Sequence, residues 1–167
     1  GDVYKRQHGH YAISEGKVRD YRKLLQELEL FHAMGAGNFH ELMLAVAKDP
    51  AMLAFLDAGV NVKGAPNENF AREIMELFTM GVGNYDEQDI REAARAFTGW
   101  NYVDLQFVFN EHEHDGASKV FLGRSGEFNG EDIIAMIMEQ PATAEYIAGK
   151  IYRFFVRTEL SKELQSK

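Results

Sequence analysis

The chain has 167 residues, a net charge of -8, 46% hydrophobic residues and no cysteine. That is enough to bury one core, and it excludes a disulfide framework, a zinc ribbon and a thiol nucleophile. The acidic balance opposes attraction to nucleic-acid phosphates and no Lys/Arg stripe overrides it, while no run approaches the roughly 20 apolar residues of a membrane-spanning helix. Nucleic acid is therefore not an expected partner, and no transmembrane segment is expected in these residues.

The first residues stand apart. Asp2-Val3-Tyr4-Lys5-Arg6-Gln7 is what the codons GAT GTG TAT AAG AGA CAG encode, and that string is similar to a transposase adapter used in sequencing libraries. Residues 1–7 are accordingly expected to be an adapter-encoded artefact that makes few packing contacts. Residues 8–167 are then expected to be a partial domain, truncated at both ends, since Leu160 to Lys167 also stops without a glycine cap.

Val18, Tyr21, Leu24, Leu25, Leu28 and Phe31 recur at helical spacing, which predicts one amphipathic helix over 17–31. Met34-Gly35-Ala36-Gly37 ends it. Asn38 with Glu41 three residues on has the form of a capping box, opening a helix that runs to Lys48. Asp49-Pro50 caps and starts a short helix over 51–57, closed near Gly59, and a loop follows over 60–65. From Pro66 or Asn67 a helix places Phe70, Ile74, Leu77 and Phe78 inward, with Gly81 as its left-handed stop. Asp86 caps the next, with Ile90, Ala93, Ala94 and Phe97 inward, and the short link predicts an antiparallel pair.

After Trp100 the period changes to alternation at Leu105, Phe107 and Phe109. Val120 to Leu122 offers a second extended run, so a β-hairpin is predicted with Asp115-Gly116 in its turn. Helices over 131–139 and 141–156 complete a mainly α fold, an orthogonal or antiparallel helix bundle with one small β-hairpin. Phe70, Phe78, Phe97, Trp100, Phe107 and Phe109 are assigned to its core.

The run Pro66-Asn67-Glu68-Asn69-Phe70-Ala71-Arg72-Glu73-Ile74-Met75-Glu76-Leu77-Phe78-Thr79-Met80-Gly81 carries a resemblance. So do Asp89-Ile90-Arg91-Glu92-Ala93-Ala94-Arg95-Ala96-Phe97-Thr98-Gly99-Trp100 and His114-Asp115-Gly116. Together they strongly resemble the domain-of-unknown-function family DUF 1800, as do Lys48-Asp49-Pro50-Ala51-Met52-Leu53 and His8-Gly9-His10-Tyr11-Ala12. The last is similar to a family Trp-His-x-His-Phe-Ala motif, with the Trp replaced by the adapter and Tyr11 in place of Phe. The resemblance implies a large bacterial protein, exported or envelope-associated, with no settled reaction.

Helical spacing sets Asn69, Glu73 and Glu76 on one stripe, facing a helix that carries Arg91 and Arg95. Two outcomes follow: a Glu–Arg network tying the helices together, or a catalytic set that also draws on Asp115. Glu68, Arg72 and Glu76 read as a solvated surface ladder. The other metal-capable side chains are His8, His10 and His114, which with Glu73 form the candidate ligand set for a divalent metal. Against this stands the reading that one of His8 and His10 is buried and hydrogen-bonded while the other is exposed, and that Asp115-Gly116 serves a turn. Function is left between a noncatalytic envelope scaffold or partner-binding module and an exported metal-assisted enzyme, hydrolytic or redox. If the second holds, His8 or His10, Glu73, and His114 or Asp115 should gather at one cavity.

Overall fold

A computed structural model describes residues 2–11 and 13–156. The side chain of Tyr4 and the stretch Leu160 to Lys167 lie outside the described residues. The architecture is mainly α with two small antiparallel hairpins.

The N-terminal segment is a helix, α1 (Asp2–His10). Contrary to the expectation for residues 1–7, it packs: Arg6 and Gln7 are buried, and the Gln7 amide donates to the Gly35 carbonyl at 2.8 Å. The helix expected over 17–31 is broken. A single turn, α2 (Glu15–Val18), ends at Arg19 with φ 53°, and Asp20 then caps α3 (Tyr21–Met34) by accepting from the Arg22 amide. The break also turns the face. Lys23, Glu27 and Phe31 form the buried stripe of α3, while Tyr21 and Leu25 are exposed.

α4 (Phe39–Ala47) starts where the Asn38 side chain accepts from the Glu41 amide, and α5 (Pro50–Phe55) starts where Asp49 accepts from the Ala51 amide ahead of Pro50. Both caps follow the sequence reading, because each carboxamide or carboxylate satisfies an amide that has no helical partner. The two helices bury Leu42, Met43, Val46 and Ala47, and Pro50, Ala51, Met52 and Leu53.

Asn67 caps α6 (Glu68–Glu73), whose continuation, Ile74–Thr79, is a π-helical turn. Hydrogen bonds there reach five residues back, as from the Met80 amide to the Met75 carbonyl at 2.9 Å. The extra residue in the turn shifts the helical phase. Leu77, expected inward, is thereby exposed, while Ile74 and Phe78 remain buried. Gly81 stops the helix at φ 75° as anticipated.

α7 (Glu87–Ala96) opens with a full capping box between Asp86 and Asp89 and buries Ile90, Ala93, Ala94 and Ala96. It packs against α6, and one ion pair joins them: Arg72 donates to Glu87 at 2.9 Å, and also to Glu68 within α6. Two hairpins follow in place of the one expected. β1 (Trp100–Val103) pairs with β2 (Gln106–Phe109) around Asp104-Leu105, and β3 (Lys119–Phe121) with β4 (Arg124–Gly126) around Leu122-Gly123. Leu122 and Gly123 have φ 47° and 75°, so both central residues take the left-handed region that two-residue hairpins favour. Asp104, at φ 54°, turns the chain before Leu105 can serve as a strand residue, and Asp115-Gly116 lies in neither turn.

α8 (Gly130–Met138), boxed by Asn129 and Asp132, and α9 (Pro141–Phe155) close the fold. The core gathers Phe31, Leu42, Val46, Phe70, Phe78, Phe97, Trp100 and Phe121 with Ile133 and Ile137. Phe70 meets Phe97 edge-on at 5.0 Å and Phe97 meets Trp100 at 5.1 Å. Phe107 is half-buried and Phe109 is exposed, so Phe109 leaves the expected core.

A Cβ at Gly81 would stand 2.7 Å from the Tyr146 ring, on a backbone angle that side chains disfavour. Replacing Gly81 with Ala should therefore lower the unfolding free energy by about 2 kcal/mol, measured by urea denaturation. A variant within 0.5 kcal/mol of the parent, about the level of an inert surface change, would contradict this geometry.

Candidate functional site

Several of the polar side chains singled out from the sequence belong to two separate networks. The first surrounds the π-helical turn. A π turn displaces its carbonyls from the regular ladder, and side chains from both ends of the chain bond them. From α1, His10 Nε2 lies 3.0 Å from the Phe78 carbonyl. From α9, Lys150 Nζ donates to the Leu77 carbonyl at 3.0 Å and the Tyr146 hydroxyl donates to the same oxygen at 3.2 Å. Within the turn, the Thr79 hydroxyl donates to the Ile74 carbonyl at 2.6 Å.

These contacts fix the state of His10. A carbonyl can only accept, so Nε2 carries the proton. Nδ1 accepts from Lys150 at 3.2 Å. Burial, with Lys150 and Arg6 nearby, pushes the imidazole down to about 3, and it is neutral at physiological pH. Burial and then Arg6 and Arg153 also hold the Lys150 ammonium below its ordinary value. Both ring nitrogens of His10 are thus engaged. His8, two residues earlier on the same helix, is exposed.

Glu73 and Glu76 border the same turn. Burial and then the Glu76 charge raise the Glu73 carboxyl, and Glu76 accepts from the Tyr85 hydroxyl at 3.2 Å. The pairing expected between these glutamates and Arg91 or Arg95 is replaced by the Arg72–Glu87 pair. Arg91 is exposed, and Arg95 reaches the other way.

The second network pins the loop after β2. Arg95 Nε donates to Asp115 at 2.7 Å, Nη1 to Glu92 at 2.8 Å and Nη2 to the Ser118 carbonyl. The Asp115 amide donates to the Thr98 hydroxyl at 2.8 Å, and that hydroxyl donates to the Arg95 carbonyl. His114 Nδ1 donates to the Thr98 carbonyl at 2.9 Å and its ring stands edge-on to Phe109. Lys119, almost fully buried, caps the Asp115 and Ala117 carbonyls. The Arg95 guanidinium holds the Asp115 carboxyl below its usual range. Glu92 and Asp89 also accept from the Val120 and Leu122 amides, which ties the second hairpin to α7.

Among the described residues no group of three or more His, Asp or Glu side chains is placed to hold a metal ion. The predicted site residues are divided: His10 meets the carbonyl end of the π turn, and His114 and Asp115 meet Thr98 and Arg95.

Sequence reasoning missed two features. One is a cleft of about 300 Å³ lined by Arg6, Gly9, His10, Lys150 and Phe154. Lys150 is separated from His10 by 140 residues, and no spacing rule joins them. The other is a buried acid pair. Glu27 and Asp49 each keep a buried carboxylate oxygen without a partner. Burial and then Asp49 push Glu27 up to about 8, and burial raises Asp49 to about 6 against hydrogen bonds from Ala51, Met52 and Gln26. The i, i+4, i+8 relation of Lys23, Glu27 and Phe31 was a readable signal, overshadowed by the leucines of the opposite face.

This is a mainly α protein in which two polar clusters among the described residues bond its own backbone. The chain belongs to the family described as Protein of unknown function (DUF1800), whose model matches residues 6–167. No curated protein and no solved structure matches it.

Glu27 gives a test in alkali. Its folded value lies above the ordinary 4.5, so its contribution is full below that value and is lost as pH rises through about 8. Between pH 6.5 and 8.5 the parent should lose about 1–2 kcal/mol of stability that Glu27→Gln retains, read from urea midpoints at each pH. Parallel pH profiles for the two proteins would refute the buried acid.

Proposed function

We propose that the chain is part of a noncatalytic module, a scaffold or partner-binding unit, of an exported or envelope-associated bacterial protein. The observation that carries this reading is that four of the candidate side chains, His10, Arg95, His114 and Asp115, bond the fold itself. His10 bonds the Phe78 carbonyl and His114 the Thr98 carbonyl, while Arg95 and Asp115 clasp the loop between the hairpins. Such bonds hold loops and helix ends in place and leave the groups little freedom to move a proton or accept a ligand. The compartment and bacterial source rest on the family resemblance of the sequence motifs.

The rival reading, a metal-assisted enzyme, draws on the His114 ring. With Nδ1 donating to a carbonyl, its Nε2 lone pair is oriented as in many metal-bound histidines. A centre would still need partners from elsewhere.

The discriminating experiment combines stability and metal binding. Asp115→Asn and His114→Gln should each lower the unfolding free energy by about 1–2 kcal/mol. Dialysis against zinc or manganese, followed by elemental analysis, should leave no stoichiometric metal on the parent. One equivalent of metal that Glu73→Gln or His114→Gln removes, with stability otherwise unchanged, would overturn the proposal in favour of the enzyme.

A further inference from the structure

The cleft between α1 and α9 collects positive charge, and no acid among the described residues pairs with it. Arg6 is 5% exposed, yet only its Nη1 has a partner, the Gln7 side-chain oxygen at 2.5 Å, and Nη2 is buried with none. Lys150 uses two donors on His10 and the Leu77 carbonyl and has a third left. Arg153, one turn on along α9, adds its field to Lys150. No described carboxylate forms an ion pair with any of the three, although the chain as a whole is acidic. An unpaired, desolvated guanidinium is costly, and an anion on Nη2 would relieve that cost. Gly9 leaves its side of the cleft open, since nothing lies within 4 Å of where its Cβ would be.

We infer that this cleft binds a phosphate-type oxyanion, gripped by the Arg6 fork and the Lys150 ammonium. A planar guanidinium offers parallel donors to two oxygens of such a group, and the ammonium supplies a point charge to a third. The cleft volume of about 300 Å³ exceeds what a bare phosphate fills, and Phe154 walls it. The organic part of a phosphate monoester or of a phospholipid headgroup can therefore be accommodated beside the anion. His10 acts as a positioning residue, holding Lys150 through Nδ1. Arg6 lies in the stretch read as adapter-encoded, whereas Lys150 and Arg153 do not, so separate variants resolve their shares.

The test is calorimetric titration of the purified chain with inorganic phosphate, with each variant first checked for native circular dichroism. Saturable binding is expected, weakened at least about tenfold in Lys150→Met and in Arg6→Gln, with Arg6→Lys intermediate because charge returns without the fork. Arg153→Gln, an exposed change that leaves the fold intact, should weaken binding about two- to threefold by its field alone. Co-sedimentation with phosphatidylglycerol against phosphatidylcholine vesicles distinguishes the sources: lipid binding that Lys150→Met abolishes assigns the headgroup, and phosphate binding alone assigns a soluble ester. Absence of both, or unchanged affinity in folded Arg6→Gln or Lys150→Met, overturns the inference. Its readout is anion affinity, whereas the bracing role of the polar networks is read from stability and metal content, so either can fail alone.

Discussion

The π-helical turn at Ile74–Thr79 is the constraint on which the rest of the fold depends. Inserting one residue into the turn moves Leu77 out to solvent and keeps Phe78 in the core. It also presents the Leu77 and Phe78 carbonyls sideways, where a regular helix would direct them along its axis. Those oxygens need donors, and the donors come from the two ends of the described chain, His10 on α1 and Lys150 and Tyr146 on α9. Gly81 then lets the chain leave the turn beneath the Tyr146 ring. One local irregularity thus brings together segments more than a hundred residues apart.

The Thr98 corner plays the same part just past the C-terminal end of α7. Thr98 accepts from the Asp115 amide through its hydroxyl and from His114 through its carbonyl, while Arg95 holds the Asp115 carboxylate. A loop with few apolar residues is fixed in this way by charge and hydrogen bonds instead of by burial. Lys119 completes it from beneath, its ammonium shared between two carbonyls. The polarity of these residues, which suggests chemistry when met in the sequence, is what a loop without a core of its own requires.

Much of this was legible beforehand where a local rule applied. The caps at Asn38, Asp49 and Asp86 and the stop at Gly81 follow from side-chain oxygens and a left-handed backbone, both of which act within a few residues. The inward face of α7 follows from its period. Errors came where a tertiary contact overrode a local signal. Lys23 is buried although leucines beside it are not, because its ammonium bonds Asp20 and lies over the Tyr102 ring. The hairpins were mispaired because Asp104 and Leu122 adopt turn conformations that their neighbours do not announce. At the site, residue types were found but not their meeting points, since His10 joins Lys150 and Asp115 joins Arg95 only through the fold.

The central claim is that His10, Arg95, His114 and Asp115 are engaged as braces, and His10 states it most sharply. Nitrogen-15 chemical shifts of its imidazole, followed from pH 5 to 8, report protonation and tautomer together. The bracing account predicts a neutral ring with the proton on Nε2 throughout that range, because Nε2 donates to the Phe78 carbonyl and Nδ1 accepts from Lys150. A ring that titrates near the ordinary value of 6.5, or that carries its proton on Nδ1, would contradict it.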